Sequence, residues 1–470
     1  MTAGGATAPE PRAPLAIVLH THMPYVHGYG TWPFGEEWLW EVYASSYLPV
    51  ARLVAGGAPL TLSLTPVVAD QLEAPAATDR CRAFLDTDRR RTHRDDAEGL
   101  ERGGLGPELA ASRHSWREYE AAIAEIDDVT AAGGNLLTPL AATSTWTSSA
   151  THAVLPLLAT EAGIRLQVGT GAASHRRRAG HWAGGFWLPE CAWDPELEAS
   201  LVEEGVRTVC LELTAEGPAA RSPWRTPDGL RIAPIDRPLI DLVWHHTGYP
   251  AHADYRSSHA RSYQGHALWA NHGGAYDPAV GAARARADAA DWARHCAAAL
   301  ADGIPRIVAF DTELFGHWWH EGPTFLAAAV DELRALGVDL LQADDLVAAT
   351  DLEVAPPPPA STWGAGRDLR TWSAPKVSTI AWDLRRAELD LLLTRGSHAA
   401  VTDAALRDLL ALQSSDWAFM VTEDRAASYG WARFAEHRRA TTQPSGALPS
   451  SAPRLRHLAP DLAHDALSVG

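Results

Sequence analysis

Two short stretches hold the residues with the most chemistry in them. Phe-Trp-Leu-Pro-Glu-Cys-Ala-Trp runs from Phe186 to Trp193, and Phe-Asp-Thr-Glu-Leu-Phe-Gly-His-Trp-Trp from Phe310 to Trp319. In each, an apolar run ends on a carboxylate, Glu190 or Asp311, and then meets aromatic residues or glycine, the pattern of a strand that delivers an acid to the rim of a sheet. Paired carboxylates walled by tryptophan suit glycoside chemistry. One attacks or stabilises the anomeric carbon, the other protonates the leaving oxygen, and flat rings lie against sugar faces. A carboxylate after an apolar strand is often only a helix cap, so the pairing carries the weight. Burial among aromatic rings raises a carboxyl pKa, as a general acid working near neutrality needs, and Asp311 has that setting. Glu313 competes for the role, because residues two apart on an extended chain face the same way. Trp187 and His317, beside the two acids, are candidate sugar contacts.

Further constellations surround this pair. His20-Thr21-His22 follows the apolar run Leu15–Leu19, so both imidazoles are expected to project together. Two such histidines invite a metal reading, but no third carboxylate ligand stands at a characteristic spacing, and hydrogen bonding to sugar or carboxylate is the preferred role. In Trp32-Pro33-Phe34-Gly35-Glu36-Glu37-Trp38, the two glutamates read as ordinary complements to a helix N-terminus, leaving Trp32 as the ligand contact. Ser414-Ser415-Asp416-Trp417 interrupts an apolar helical pattern, where an Asp and a Trp presented from a second domain would close a cleft.

The elements that must position these residues alternate. Short β-rich runs at Leu15–Leu19, Leu60–Leu64, Phe186–Leu188, Val206–Leu211 and Arg306–Phe310 are separated by helical stretches, and the polar residues come just after the runs. That is the habit of βα barrels, whose sites collect at the carboxyl ends of the strands. Residues 80–132, charged, Ala-rich and poor in strand signals, read as a helical insertion. Four prolines, Pro356–Pro359, mark a boundary after a barrel domain of 15–355. Beyond them Val377, Ile380, Leu384, Ala387 and Leu391, then Val401, Ala405, Leu409 and Leu412, recur at helical spacing, predicting a helical domain over 360–440. Residues 1–14 read as a disordered leader and 441–470 as a loose tail.

Composition narrows the function. A formal net charge of −18, with no basic stripe, argues against nucleic acid or an anionic membrane as partner and for an uncharged substrate. The 19 Trp outnumber the 10 Tyr and 8 Phe together, a bias that suits carbohydrate binding as well as core filling. Cys81, Cys191, Cys210 and Cys296 form no close pair, so neither a zinc knuckle nor a disulfide framework is indicated, and a reducing, cytoplasmic setting is expected. No stretch approaches a membrane span, and Leu15–Leu19 is too short for a signal sequence.

Taken together the motifs resemble glycoside hydrolase family 57, in particular its α-1,4-glucan branching members. The resemblance runs from Leu19 to about His437 through LHTHMPYVHG, WPFGEEWL, LTPVVADQL, GFWLPECAW, FDTELFGHWWHEGP and SSDWAFM, six motifs in order. It implies an α/β fold, a (β/α)7 barrel with a helical insertion and an all-α C-terminal domain. It further implies Glu190 as nucleophile, Asp311 as acid/base, and substrate contacts at His20, His22, Trp32, Asp416 and Trp417. Retaining transfer of an α-1,4-glucan segment to a 6-hydroxyl would follow, with the carboxyls about 5 to 5.5 Å apart, glucan as donor and acceptor, and no metal or organic cofactor. An α-amylase-like hydrolase or a 4-α-glucanotransferase on the same machinery is the alternative, and a metal-dependent polysaccharide hydrolase a more distant one. Two departures stand out: Pro139–Ser149 reads as a Ser/Thr-rich insertion, and the loop Thr214–Gly229 is short for a lid, with Trp224 as its only aromatic residue.

Overall fold

The computed structural model describes residues 13–29, 35–214, 221–396, 401–442, 455 and 457–463. Eight strands form one sheet in the order β6-β7-β5-β4-β3-β2-β1-β8. They are β1 (Leu15–Thr21), β2 (Thr61–Leu64), β3 (Ser144–Ser148), β4 (Gly185–Trp187), β5 (Thr208–Leu211), β6 (Trp224–Arg225), β7 (Arg231–Pro234) and β8 (Arg306–Asp311). Every pairing is parallel except β6 with β7. The sheet curls until its ends touch: Ile235, just past β7, bridges Ile307 of β8, and the Asp236 amide donates to the Ile307 carbonyl at 2.7 Å. Seven parallel strands thus ring one core, with β6 outside as a hairpin partner. All seven residues of β1 are buried, as a strand covered on both faces requires, and this is why its sequence is a continuous apolar run.

The stretch Pro139–Ser149, expected as an insertion, instead holds the end of a short helix, Thr138–Ala141, and a strand of the sheet. Ser144-Thr-Trp-Thr-Ser is β3, pairing Leu62 with Ser144 on one side and Thr147 with Phe186 on the other. Three of its hydroxyls donate to backbone carbonyls, Ser148 to Trp187 at 2.8 Å, Ser144 to Leu140 at 2.7 Å and Thr147 to Gly171 at 3.3 Å, which offsets most of the cost of a polar strand in the core, while Thr145 Oγ1 is buried with no partner among the described residues. Thr and Trp favour strands, but with no aliphatic run the periodicity signal was silent.

The helical insertion comprises Ala77–Ala83, Arg90–Arg102 and Gly106–Ala131, joined by a π-helical turn at Phe84–Arg89. After the barrel, helices Arg370–Ser373, Ser378–Gly396, Asp403–Leu412, Asp416–Thr422 and Ala427–Thr442 follow. They do not build a separate core. Val377, Ile380, Leu409, Leu410 and Trp417 share one hydrophobic cluster with Phe186, Leu188, Val209 and Ile232 of the barrel. The proline run straps across the barrel too, where Trp193 donates its indole N–H to the Pro358 carbonyl at 3.0 Å.

The tail, expected to be loose, docks where it is described. Leu458 and Ala459 are buried, the Ala459 amide donates to Asp70 Oδ2 at 2.7 Å, and Arg177 reaches Asp461. Asp70 is buried beside Arg178 and needs the extra donor, which the tail supplies. Residues 1–12 of the expected leader lie outside the described residues. No helix among the described residues is long and apolar enough to cross a membrane.

Candidate active site

A cavity of about 460 Å³ opens at the carboxyl ends of β1, β4 and β8, and both Glu190 and Asp311 line it. After β4 the chain makes a tight turn, Pro189–Cys191, in which Glu190 (φ 62°) and Cys191 (φ 48°) both adopt left-handed backbone. A non-glycine residue there costs on the order of 1–3 kcal/mol, so surrounding bonds must enforce it. They do: the Trp363 amide donates to the Glu190 carbonyl at 3.0 Å and the Cys191 amide to that of Leu188 at 2.9 Å. The turn aims the Glu190 carboxylate at two donors, Trp363 Nε1 on Oε2 at 3.0 Å and Ser415 Oγ on Oε1 at 3.1 Å. Burial raises the Glu190 pKa, while the bonds from Trp363 and Ser415 favour its anion.

Asp311 ends β8, in register with His20 of β1. Its carboxyl is pushed well above the usual carboxylate range by burial first, and then by the negative charges of Glu313, Glu190 and Asp416. A carboxylic acid that holds its proton near neutrality is the state a general acid must have. Glu313 also lines the cavity but has left the strand for a short turn, Thr312–Leu314. Its Oε1 accepts from Tyr47 Oη at 2.6 Å and from the His22 amide at 3.0 Å, and burial raises its pKa to about 7. The two acids are thereby differentiated: Glu313 is tied into the wall, and its charge sustains the proton on Asp311. Gly316 closes this turn at φ 113°, where a Cβ would meet the Ser45 carbonyl oxygen at 1.8 Å.

Three imidazoles form a stack on one wall. Trp187 lies under His20 with ring centroids 4.8 Å apart, and His152 lies 4.9 Å from His20 and 3.9 Å from His22. His20 Nε2 meets His152 Nε2 at 2.9 Å, His152 Nδ1 meets Ser415 Oγ at 2.8 Å, and His22 Nε2 meets Asp416 Oδ2 at 2.9 Å. Burial, and then the neighbouring imidazoles, hold His20 and His152 well below the ordinary histidine range. His22 is raised instead, because Asp416, Glu313 and Glu190 outweigh its burial. Asp416, against its own burial, is held down to about 2 chiefly by His22.

Of the aromatic residues expected to meet substrate, several do other work. Trp187 is fully buried and stands behind the cavity wall, backing His20 and Trp363. Trp417 is 1 % exposed, its indole bonded to the Ala411 carbonyl at 2.8 Å and its ring covered by Arg433, so it packs the helical core. Trp224 stands in β6 opposite Ile232 and packs on the cluster shared by the barrel and the later helices, which removes it from any lid tip, while residues 215–220 of that loop lie outside the described residues. Trp32 also lies outside them. His317 lines the cavity, and burial lowers its pKa to about 4. The rings that do stand exposed at the cavity are Trp244, Trp318 and Phe419. Sequence reasoning missed His152 and Trp363. His152, at φ 60°, follows β3, a strand without an aliphatic run, and Trp363 follows the proline run that ends the barrel. Both needed the fold to connect them.

The arrangement offers a carboxyl on Glu190 whose anion two hydrogen-bond donors favour, a carboxyl on Asp311 whose protonated form burial and neighbouring charge favour, and hydrogen-bonding walls between exposed indoles. Residues 143–355 match the model of glycosyl hydrolase family 57, and residues 389–459 match that of the C-terminal region of 1,4-α-glucan branching enzymes. A probable 1,4-α-glucan branching enzyme of Mycobacterium tuberculosis is 31 % identical over 92 % of both chains. The crystal structure of a branching enzyme of this type from Pyrococcus horikoshii superposes with a TM-score of 0.83 at 26 % identity, covering 90 % of this chain and 88 % of that one. An α-amylase from Thermotoga maritima shares the fold at TM-score 0.79 and 21 % identity, covering 92 % of each.

Proposed function

The chain belongs to glycosyl hydrolase family 57, a 1,4-α-glucan branching enzyme by its full-length relatives and its C-terminal match, and from that premise we propose how its residues divide the work. Glu190 attacks the anomeric carbon of an α-1,4-glucan while Asp311 gives its proton to the departing 4-oxygen. The glycosyl–Glu190 ester then meets the 6-hydroxyl of a second glucan segment. Asp311, now ionised, removes that proton, the new α-1,6 bond forms with overall retention, and both carboxyls return to their starting states. What carries this reading is the contrast in the cavity: Glu190 is bonded by Trp363 and Ser415, which favour its anion, whereas Asp311 is hemmed by negative charge, which keeps its proton.

His22, Asp416 and His317 line the same cavity and act as sugar hydroxyl partners in this reading. The reaction takes no metal at His20 and His22, whose Nε2 atoms are engaged with His152 and Asp416. A glucan chain as acceptor is supported by Trp244, Trp318 and Phe419, exposed rings in the cavity lining that can lie against sugar faces. The four cysteines, all free and buried, are in keeping with a cytoplasmic setting. Incubation with amylose, followed by counting new α-1,6 linkages against new reducing ends, tests the reading. Linkages should dominate, and a product mixture dominated by reducing ends would make the protein a hydrolase.

A further inference from the structure

A second cavity, about 340 Å³, lies between the helical insertion and the turn that follows β8. His114 and Glu118 stand one turn apart on the insertion helix Gly106–Ala131, and His320 comes from the barrel side, three residues beyond His317. Glu118 Oε1 is 3.4 Å from His114 Nε2 and 3.4 Å from His320 Nε2. Those separations are long for an N–H···O bond, which centres near 2.9–3.0 Å. They match the edge of a tetrahedron whose centre is bonded to N and O at roughly 2.0–2.1 Å, an edge of about 3.4 Å. The three ligand atoms all lie within 4.8 Å of one another, so the remaining His–His edge closes with a small side-chain movement.

The rest of the cavity suits a cation. Glu321 is buried in the same cavity lining, with Tyr276 bonded to its carboxylate; its Oε1 accepts from the Arg256 amide at 3.1 Å, and its Oε2 is buried with no hydrogen-bond partner among the described residues. Gly281 makes room for it, since a Cβ there would stand 2.8 Å from Glu321 Oε1. Of the two guanidinium groups in the cavity lining, Arg52 is paired with Glu125, and Arg256 points its Nη1 at Ser115 Oγ.

We propose that His114, Glu118 and His320 bind a zinc ion, a structural clamp between the helical insertion and the β8 turn that carries His317 and Trp318 into the active site. Two imidazoles and a carboxylate form a borderline-soft donor set with space for water as fourth ligand, as zinc prefers. The ion takes no part in bond cleavage. It fixes the insertion against the turn, so its loss should be felt first as reduced heat resistance.

The test is isothermal titration of the full-length, chelator-stripped protein with zinc chloride, alongside H320Q, E118Q and H22A. The wild type should bind one equivalent, and zinc should raise its melting temperature. H320Q and E118Q should each lose about 10–100-fold or more in affinity and lose the zinc-dependent melting shift, with unchanged melting temperatures in zinc-free buffer showing that they fold. H22A should bind as the wild type does. Absence of a stoichiometric site in the wild type, retention of full affinity in H320Q, or loss of binding in H22A would each overturn the proposal.

Discussion

The rim of the barrel and the segment beyond residue 360 meet at one cavity but contribute differently to it. The barrel supplies the groups that react: Glu190 from the turn after β4 and Asp311 from the end of β8, with His20 and His22 from β1. The later segment supplies what holds them: Trp363 and Ser415 on Glu190, and Asp416 on His22. Backbone links seal the join, with Ser415 N–H on the His152 carbonyl at 3.1 Å and a bridge from Ala153 to Ser414. A parallel ladder fixes where a strand ends but leaves a carboxylate free to rotate. Fixing its charge state and direction takes donors from outside the ladder, and the helical segment provides them.

The largest expected effects test the barrel half. Glu190→Gln should fall by about 10⁴-fold or more in kcat with its fold intact, and a folded, fully active variant would remove Glu190 from the nucleophile role. Asp311→Asn should lose about 10²–10⁴-fold on amylose yet act on an α-glycosyl fluoride, whose leaving group needs no proton, while Glu190→Gln should fail on both. If Glu313→Gln proves the variant that fluoride rescues, the two acids exchange roles.

Next comes the holding half. Trp417→Ala should destabilise the protein by about 3–5 kcal/mol, the usual range for emptying a buried Trp site, measured by denaturant unfolding, with kcat nearly unchanged where the protein remains folded. Trp363→Phe keeps an aromatic ring at the position while removing the donor to Glu190 Oε2 and part of the ring contact with Trp187 and Trp244. It should cost roughly 10-fold in kcat, or about 1.4 kcal/mol, and move the acid limb of the pH–rate profile upward. The sign follows because the Trp363 bond lowers a Glu190 pKa that burial has raised, so without it more of the nucleophile is protonated at a given pH.

Glu313→Gln sharpens the division between the acids. Burial and then the Glu313 charge raise the Asp311 pKa, so removing that charge lowers it, and the alkaline limb, where the acid loses its proton, should move to lower pH. The smallest effect is expected at Trp224. As a strand residue of β6, its replacement by Ala should leave the ratio of α-1,6 bonds to reducing ends unchanged, and a shifted ratio would return it to the cleft.

What the sequence determined by itself was local: apolar runs that end on Glu190 and Asp311, and an apolar spacing that switches to helical beyond the prolines. Those signals survive because strand burial and helix amphipathicity are written within a few residues. β3 escaped because most of its polar side chains find partners on other segments, Ser148 on the Trp187 carbonyl, Ser144 on the Leu140 carbonyl and Trp146 on the Asp344 carboxylate. The roles of the tryptophans escaped for a related reason. Trp187, Trp417 and Trp318 look alike in a string, yet the first backs a histidine, the second fills a core and the third stands 51 % exposed beside the cavity. Which face of a ring meets solvent depends on chain segments hundreds of residues away. The same holds for the choice between Asp311 and Glu313, two carboxylates two residues apart. Tyr47 and the His22 amide take one of them and leave the other to burial and its neighbours' charge, a decision that exists only once β1, the turn after β8 and the helix bearing Tyr47 have packed together.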